Sequence, residues 1–597
     1  MKTINDVHQQ FAGFFKQEGL APFAYLVSKR LEEGHICIHN NDVVRYSKEL
    51  PYSPPYSVGL LGKMKPTVGA AGDISPFILH KNMLYLHRYF TYETKLLTAI
   101  AALLKNEKEM LQQRQQDLLL LKPLILTLQA EYKPEDGGTA TENVDWQLAA
   151  AIQGVLNNFS IITGGPGTGK TTTVAKILTL LFSIKPDCKV ALAAPTGKAA
   201  MRMAESLKGT TLKLEPAIKQ QFSLLNPNTI HRLLKYIPNS VYFRHNSTNP
   251  LPYDVVIVDE ASMIDVALFA KLLDAVGPHT RLILLGDKNQ LASVEAGSMF
   301  GDLCNAVEGT NLFTNTTADF INQFILTKEC VIGDEFIQTI DHPLAGHIIE
   351  LQKSHRFKST GGIGKFSKAI IYNEQDVLSA FIHNNTEAAV EIDTNTKQQL
   401  FESFVDGYKE YLQEKDCKLA LQKFNDLRVL CAMREGPQGL YATNRAIEQY
   451  LQKHYGLDLR QDFYENRPII VTKNYPELKL FNGDIGIIRT DDNGNMRAWF
   501  EDSDKNIRSI LPGYIDSAET VFAMTIHKSQ GSEYKQVLVL LPQNTGNQLL
   551  TRELLYTAVT RAREKVLVQA SEVVLLQTAE ATVERASGII NRFDEIL

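Results

Sequence analysis

A chain of 597 residues is long enough for three to five domains with separate cores, and 44% apolar with 22% charged residues is the balance of an ordinary globular protein rather than a disordered or fibrous one. Its formal net charge of −5 gives no overall attraction for nucleic acid, so DNA binding would need a locally basic groove. Cys37, Cys188, Cys304, Cys330, Cys417 and Cys431 are scattered with no C-x-x-C pair, which argues against zinc, iron–sulfur and disulfide frameworks; without an apolar leader or a run of membrane-span length, a cytoplasmic protein with no membrane partner is expected.

The first 125 residues carry no chemical motif. Apolar spacing in Phe11-Phe14-Phe15 and from Ala21 to Val27 predicts helices, and Leu84-Tyr85-Leu86-His87-Arg88-Tyr89-Phe90 leads into a longer helix through Leu104, while the Pro- and Gly-rich stretch 50–66 reads as loop. Residues 1–125 are thus expected to form a helical N-terminal domain that docks on a partner, with a plain structural cap as the alternative. A polar, turn-rich run over 132–144 marks a linker within 126–145.

From Trp146 onward strand and helix alternate, as in a parallel α/β sheet. Strands are expected at 159–163, 189–194, 254–258 and 281–285, in apolar runs that are continuous because both faces of such strands are covered. The first α/β domain is placed at 146–350, with a small insertion near 235–252 and irregular, extended chain over 303–350. A second α/β set starts near Arg428 and resumes after residue 520, giving a domain over 351–459 and 516–597. Between its halves, residues 460–515 hold short strands separated by Gly and Asp-Asp-Asn-Gly turns, the pattern of a small inserted β-barrel.

The chemistry is densest at Gly164-Gly165-Pro166-Gly167-Thr168-Gly169-Lys170-Thr171, between an expected strand and an expected helix that opens with Thr172. Glycines let backbone N–H groups converge on phosphate oxygens, and the helix N-terminus adds positive potential. Lys170 would neutralise β/γ-phosphates and Thr171 would ligate Mg²⁺, so the site is one for a nucleoside triphosphate. Asp259 and Glu260 end the next-but-one strand, Asp259 suited to hold Mg²⁺ and Glu260 to polarise an attacking water. Gln290, in Gly286-Asp287-Lys288-Asn289-Gln290-Leu291, can touch a γ-phosphate. Arg356 and Arg561 offer guanidinium groups from outside the first α/β domain for charge developing during phosphoryl transfer. The loop Thr525–Glu533 carries hydroxyls, a lysine and free backbone donors suited to phosphate and nucleic-acid backbone.

Taken in order, these blocks resemble the superfamily 1 helicases, group 1B, over roughly 146–570. Trp146-Gln147 looks like the adenine-reading motif, with Gln147 its reader, and Gly164–Thr171 like motif I. Pro195-Thr196-Gly197-Lys198-Ala199-Ala200 and Thr229-Ile230-His231 resemble DNA-contacting segments, as do Thr525 and His527 of the motif V look-alike. Asp259-Glu260, Gly286–Leu291, Arg356 and Arg561 look like motifs II, III, IV and VI. The wording of Gly165–Lys176, Met433–Gly439 and Leu480–Gly486 is similar to the RecD family.

The resemblance implies two RecA-like P-loop domains with ATP and Mg²⁺ between them, the second supplying Arg356 and Arg561, and an SH3-like barrel inserted in the second. It further implies 5′-to-3′ movement on single-stranded DNA, action at duplex ends in double-strand break repair and recombination, and RecB-like and RecC-like partners in a heterotrimer. A free-standing helicase of the same kind is the alternative; a nucleotide-gated interaction module without motor activity is disfavoured by the intact Lys170, Glu260 and Arg561. No acidic metal cluster beyond Asp259-Glu260 stands out, so any nuclease site is expected in a partner subunit.

Overall fold

Central strands form where apolar residues run without interruption, and edge strands where the run is short. The computed structural model describes residues 6–596 except 18, 57, 131, 133–142, 211, 339–341, 358–360, 385–386, 503–504 and 544–547. Its strands make four sheets. The first, in the N-terminal region, comprises β1 (Cys37–His39), β2 (Val68–Gly69), β3 (Phe77–His80) and β4 (Met83–Leu86), in the order β1-β4-β3-β2.

The second sheet is all parallel: β5 (Phe159–Gly164), β6 (Val190–Ala194), β7 (Asn228–Thr229), β8 (Val255–Val258), β9 (Arg281–Gly286) and β10 (Ile348–Leu351), ordered β10-β5-β9-β8-β6-β7. Every residue of β5 and β8 is buried, as a strand covered on both faces requires. Two clusters flank this sheet, one containing Ile162, Ile257 and Leu285, the other Ile161, Val256 and Leu284, so alternate residues of each strand serve opposite layers.

The remaining strands are β11 (Val390–Asp393), β12 (Leu427–Cys431), β13 (Pro468–Val471), β14 (Ile485–Thr490), β15 (Met496–Glu501), β16 (Ile507–Ile510), β17 (Ala518–Thr520), β18 (Ala523–Thr525), β19 (Tyr534–Leu540) and β20 (Ala562–Gln569). A second parallel sheet has the order β11-β20-β19-β12-β18, and an antiparallel sheet of order β16-β15-β14-β13-β17 is inserted in it by sequence, between β12 and β18. Ile469, Val471, Ile488 and Phe500 give the antiparallel sheet a core of its own.

Three expectations need correction. Residues 1–125 are not purely helical, because the four-stranded sheet packs under the helices Val7–Phe14 and Ala21–Glu32 through Phe23, Leu26, Phe77 and Leu84. The run Leu84–Phe90 crosses from β4 into the helix His87–Leu120 with no Gly or Pro to mark the change. That helix is also not confined to an N-terminal unit: Leu96, Leu97, Ile100 and Leu103 join the core that covers Phe159, Val256 and Leu282. Secondly, 303–350 is not mainly extended; it holds the helix Asn315–Asn322, two short helical turns and β10. Most of the polar run assigned to the linker, 133–142, lies outside the described residues.

The third correction concerns the C-terminus. Beyond the helix Glu572–Glu580 the chain leaves the second parallel sheet, and the helix Ile589–Ile596 docks on His87–Leu120. Arg592 Nη1 donates to Glu93 Oε2 at 2.6 Å with the two side chains 3% and 0% exposed, and Gly588 N donates to Glu93 Oε1 at 2.6 Å. The Arg592 guanidinium also lies 4.0 Å from the centre of the Phe90 ring. A buried pair of this kind gives modest net stability when intact but leaves a stranded charge when halved, at about 3–5 kcal/mol. Arg592→Ala should therefore release the C-terminal helix, seen as lost hydrogen-exchange protection over 589–596; unchanged protection there would show that the pair does not hold it.

Candidate functional site

The glycine-rich loop turns at two left-handed residues, Gly167 (φ +80°) and Gly169 (φ +86°), before the helix Lys170–Ile184 begins. Both are also crowded. A Cβ at Gly167 would lie 2.4 Å from Arg356 Cβ, and one at Gly169 would lie 2.2 Å from Gln147 Nε2. Gln147 holds the loop from behind, donating to Thr168 O at 3.1 Å and meeting His355 Nε2 at 3.2 Å. Lys170 Nζ donates to Gly164 O at 2.6 Å and Gly165 O at 3.2 Å, which keeps its ammonium over the loop.

A cavity of about 670 Å³ opens in front of this loop. Its wall brings together Pro166, Gly167, Thr168, Gly169, Lys170, Thr171 and Thr172 with Asp259, Glu260, Gln290, Arg356 and Arg561, residues separated by up to 395 positions in the chain. Gln147 stands behind the loop, and it and the loop's first two residues, Gly164 and Gly165, are off the cavity wall.

Asp259 and Glu260 follow β8 at its carboxyl end. Burial and the adjoining Glu260 push the Asp259 carboxyl up to about 6, while Lys170 opposes the rise. Asp259 Oδ1 accepts from Glu260 N at 2.8 Å, and Glu260 adopts φ +53°. A left-handed non-glycine residue costs about 1–3 kcal/mol, a strain typical of functional positions. Gln290 Nε2 donates to Asp287 Oδ2 at 2.9 Å, and the same oxygen accepts from Tyr556 Oη at 3.1 Å. Leu291 N donates to Thr557 Oγ1 at 2.9 Å, and Gln530 Nε2 donates to Leu291 O at 2.5 Å. The segment after β9 is thereby tied to the second parallel sheet's helix Arg552–Val559.

Arg356 does not come from the body of the second sheet. It lies on the crossover after β10, pinned to the loop by His355 N donating to Gly167 O at 2.8 Å and Ser354 Oγ donating to Pro166 O at 3.1 Å. Arg561 does come from the second sheet, between the helix Arg552–Val559 and β20, with Nε donating to Thr557 O at 3.0 Å and Nη1 to Ser532 O at 3.3 Å.

The DNA candidates form a separate group. Pro195 and Thr196 follow β6, Thr196 capping the helix Gly197–Lys208 by accepting from Ala199 N at 3.2 Å. Burial lowers the pKa of Lys198 on that helix. His231 follows β7 and meets Phe243 edge-on at 5.7 Å, and the neighbouring Arg232 guanidinium lies 4.7 Å from the Phe481 ring of the inserted antiparallel unit. Thr525 ends β18 and accepts from Lys528 N at 3.3 Å; burial lowers His527 and keeps its imidazole neutral at pH 7. Within the first parallel sheet, β5, β8 and β9 lead to the cavity residues and β7 to His231, whereas β6 serves both, leading to Pro195 and Thr196 and, through the helix Gly197–Lys208, to Arg202 on the cavity wall.

A model of the AAA domain matches residues 147–296, and one of the UvrD-like helicase C-terminal domain matches residues 520–568. The RecBCD enzyme subunit RecD of Haemophilus influenzae is 35% identical over 563 residues, covering 89% of this chain and 83% of that protein. The chain belongs to the RecD family. RecD of Mycolicibacterium smegmatis is 38% identical over 75% of this chain and 74% of its own length. The ATP-dependent RecD2 DNA helicase of Deinococcus radiodurans is 28% identical over 75% of this chain but only 52% of its own. As a RecD-family member the chain is an ATP-dependent DNA helicase.

Among the cavity residues of this RecD-family chain that the sequence does not single out are Arg202 and Glu533. Arg202 lies one helical turn beyond Lys198, an i, i+4 spacing that could have drawn attention to it. Glu533 closes the motif V look-alike without any local sign that it faces arginines. For the loop itself, Gly169→Ala should weaken ATPγS binding at least tenfold, about 1.4 kcal/mol, with the fold retained by circular dichroism; wild-type affinity would mean that the loop can accept a side chain.

Proposed function

We propose that this helicase is a 5′-to-3′ translocase on single-stranded DNA and a subunit of a RecBCD-type helicase–nuclease, acting with RecB-like and RecC-like partners in double-strand break repair and homologous recombination. The observation that carries the motor reading is the cavity in which Lys170 and Asp259 of the first parallel sheet face Arg561 of the second. The subunit reading is supported by the near-full-length likeness to proteins named as RecBCD subunits, against about half the length of RecD2. No described helix is long and apolar enough to cross a membrane, and a cytoplasmic setting fits the six unpaired cysteines.

In this reading the two parallel sheets are RecA-like domains, the antiparallel unit an SH3-like barrel, and residues 1–125 the partner-docking region; exposed Val7, Phe14 and Ile74 suit docking. Lys170 and the loop amides grip the nucleotide's β- and γ-phosphates, and Gln147, which braces the loop from behind and does not line the cavity, is left without the adenine role that the resemblance implies. Thr171 and Asp259, hard oxygen donors on one wall, would hold Mg²⁺, which when bound neutralises phosphate charge. Glu260 orients the attacking water, Gln290 senses the γ-phosphate, and Arg356 and Arg561 stabilise charge on the transferring group. Because the ligand bridges the two domains, hydrolysis loosens the bridge and the domains move apart. The shift is passed to DNA lying across Pro195, Thr196, Lys198, His231, Thr525 and His527.

Lys170→Ala should abolish DNA-stimulated ATP hydrolysis in a folded protein; normal turnover would remove the site assignment. Arg561→Ala should keep nucleotide affinity and lose about 10³-fold in turnover, whereas equal losses of both would deny it a role in the transition state. Affinity purification of the native chain should bring down two large subunits in stoichiometric amount. Recovery of the chain alone, with unwinding of a 5′-tailed duplex by that isolated chain, would instead favour the free-standing helicase.

A further inference from the structure

Three arginines reach the nucleotide cavity, and two of them converge on one carboxylate. Arg356 Nη2 donates to Glu533 Oε1 at 2.6 Å, and Arg202 Nη2 lies 3.8 Å from Glu533 Oε2. Arg202 Nη1 donates to Gly531 O at 2.5 Å, so the helix Gly197–Lys208 is tied to the loop that bears Glu533. The third, Arg561, is held by the carbonyls of Thr557 and Ser532, and needs no carboxylate for its orientation. Burial would raise the Glu533 pKa, yet Arg202, Arg356 and Arg561 hold its carboxyl below the usual range, so it is an anion throughout the neutral pH range.

A carboxylate fixed in a cavity that must admit a polyanion repels that ligand and occupies its donors. Guanidinium groups bind carboxylate and phosphate oxygens in the same planar, forked geometry, so one can exchange for the other. Arg356 is arranged for such an exchange: Nη2 is engaged by Glu533, while Nη1 is buried with no hydrogen-bond partner among the described residues. Resting on the assignment of this cavity to ATP, we infer that Glu533 is a built-in competitor of the nucleotide's terminal phosphate for Arg356 and Arg202. Phosphate arrival frees Glu533 from Arg356. Since Glu533 lies eight residues beyond Thr525 on one loop, the exchange alters the tether of the segment that carries the candidate DNA contacts.

Glu533→Gln keeps the shape of the side chain and removes the competing charge. On the full-length chain, fluorescence titration with ATPγS should then show affinity tighter by about tenfold, with a smaller gain for ADP, which lacks the terminal phosphate. In the Arg356→Gln background the same change should give no gain, because the group competed for is gone. Weaker or unchanged ATPγS binding by Glu533→Gln would overturn the inference; a weakening would instead fit a carboxylate that accepts from a nucleotide hydroxyl. A gain that persists without Arg356 would equally overturn it. Lys170→Ala, titrated alongside, separates the two levels: loss of binding there with no gain from Glu533→Gln leaves the ATP site standing and removes only the competitor.

Discussion

The arrangement depends on how little room surrounds the phosphate loop. Gly167 and Gly169 are left-handed and backed by Arg356 and Gln147 at distances that exclude even a methyl group. That crowding fixes the loop from two directions at once. Behind it stands the helix Trp146–Leu156, which brings Gln147; beside it runs the crossover after β10, which brings Ser354, His355 and Arg356. The loop is therefore shaped by contacts far from it in sequence, although its glycine pattern is local. Rigid placement of this kind is what allows a few donors to discriminate a phosphate from water.

Charge is the second organising constraint. A cavity whose wall carries Lys170, Arg202, Arg356 and Arg561 together with Glu205, Asp259, Glu260 and Glu533 is balanced by itself. Balance lets buried charges coexist without a bound ligand, and it makes the geometry responsive when a polyanion enters. Asp287 extends the same logic away from the cavity: one carboxylate oxygen receives both Gln290 and Tyr556, so the two parallel sheets share a hydrogen-bonded node beside the phosphate end.

Much of this was legible in the sequence, for local reasons. β8 and β9 are apolar runs that lead into Asp259 and Gly286, β5 is a β-branched, largely apolar strand that ends on Gly164, and a run that ends on chemistry is easy to read. The inserted antiparallel unit was marked by its turns. What escaped was non-local. The small strands β1 to β4 are too short for periodicity to separate from helix, and Leu84–Phe90 passes from one to the other unmarked. Arg202 is an ordinary surface-type arginine by helical position, and its partners, Gly531 O and Glu533, come some 330 residues later. Arg356 reads as part of the second domain because its motif follows the first; the bonds from Ser354 Oγ to Pro166 O and from His355 N to Gly167 O attach its segment to the phosphate loop instead.

The return of the C-terminus to the N-terminal half has a mechanical consequence. The second parallel sheet is entered after the crossover at residues 352–357 and left by the segment near 581–588, whose Arg585 donates to Ser293 O at 2.7 Å and whose Ala586 O accepts from Ile36 N at 3.0 Å. A body joined by one connection can swing in any direction, but a body joined at two separated points is restricted to turning about the line between them. The inserted antiparallel unit is borne on that body between β12 and β18 and reaches back to the first sheet's side where Phe481 meets Arg232, so any turn about the line is felt at that contact as well.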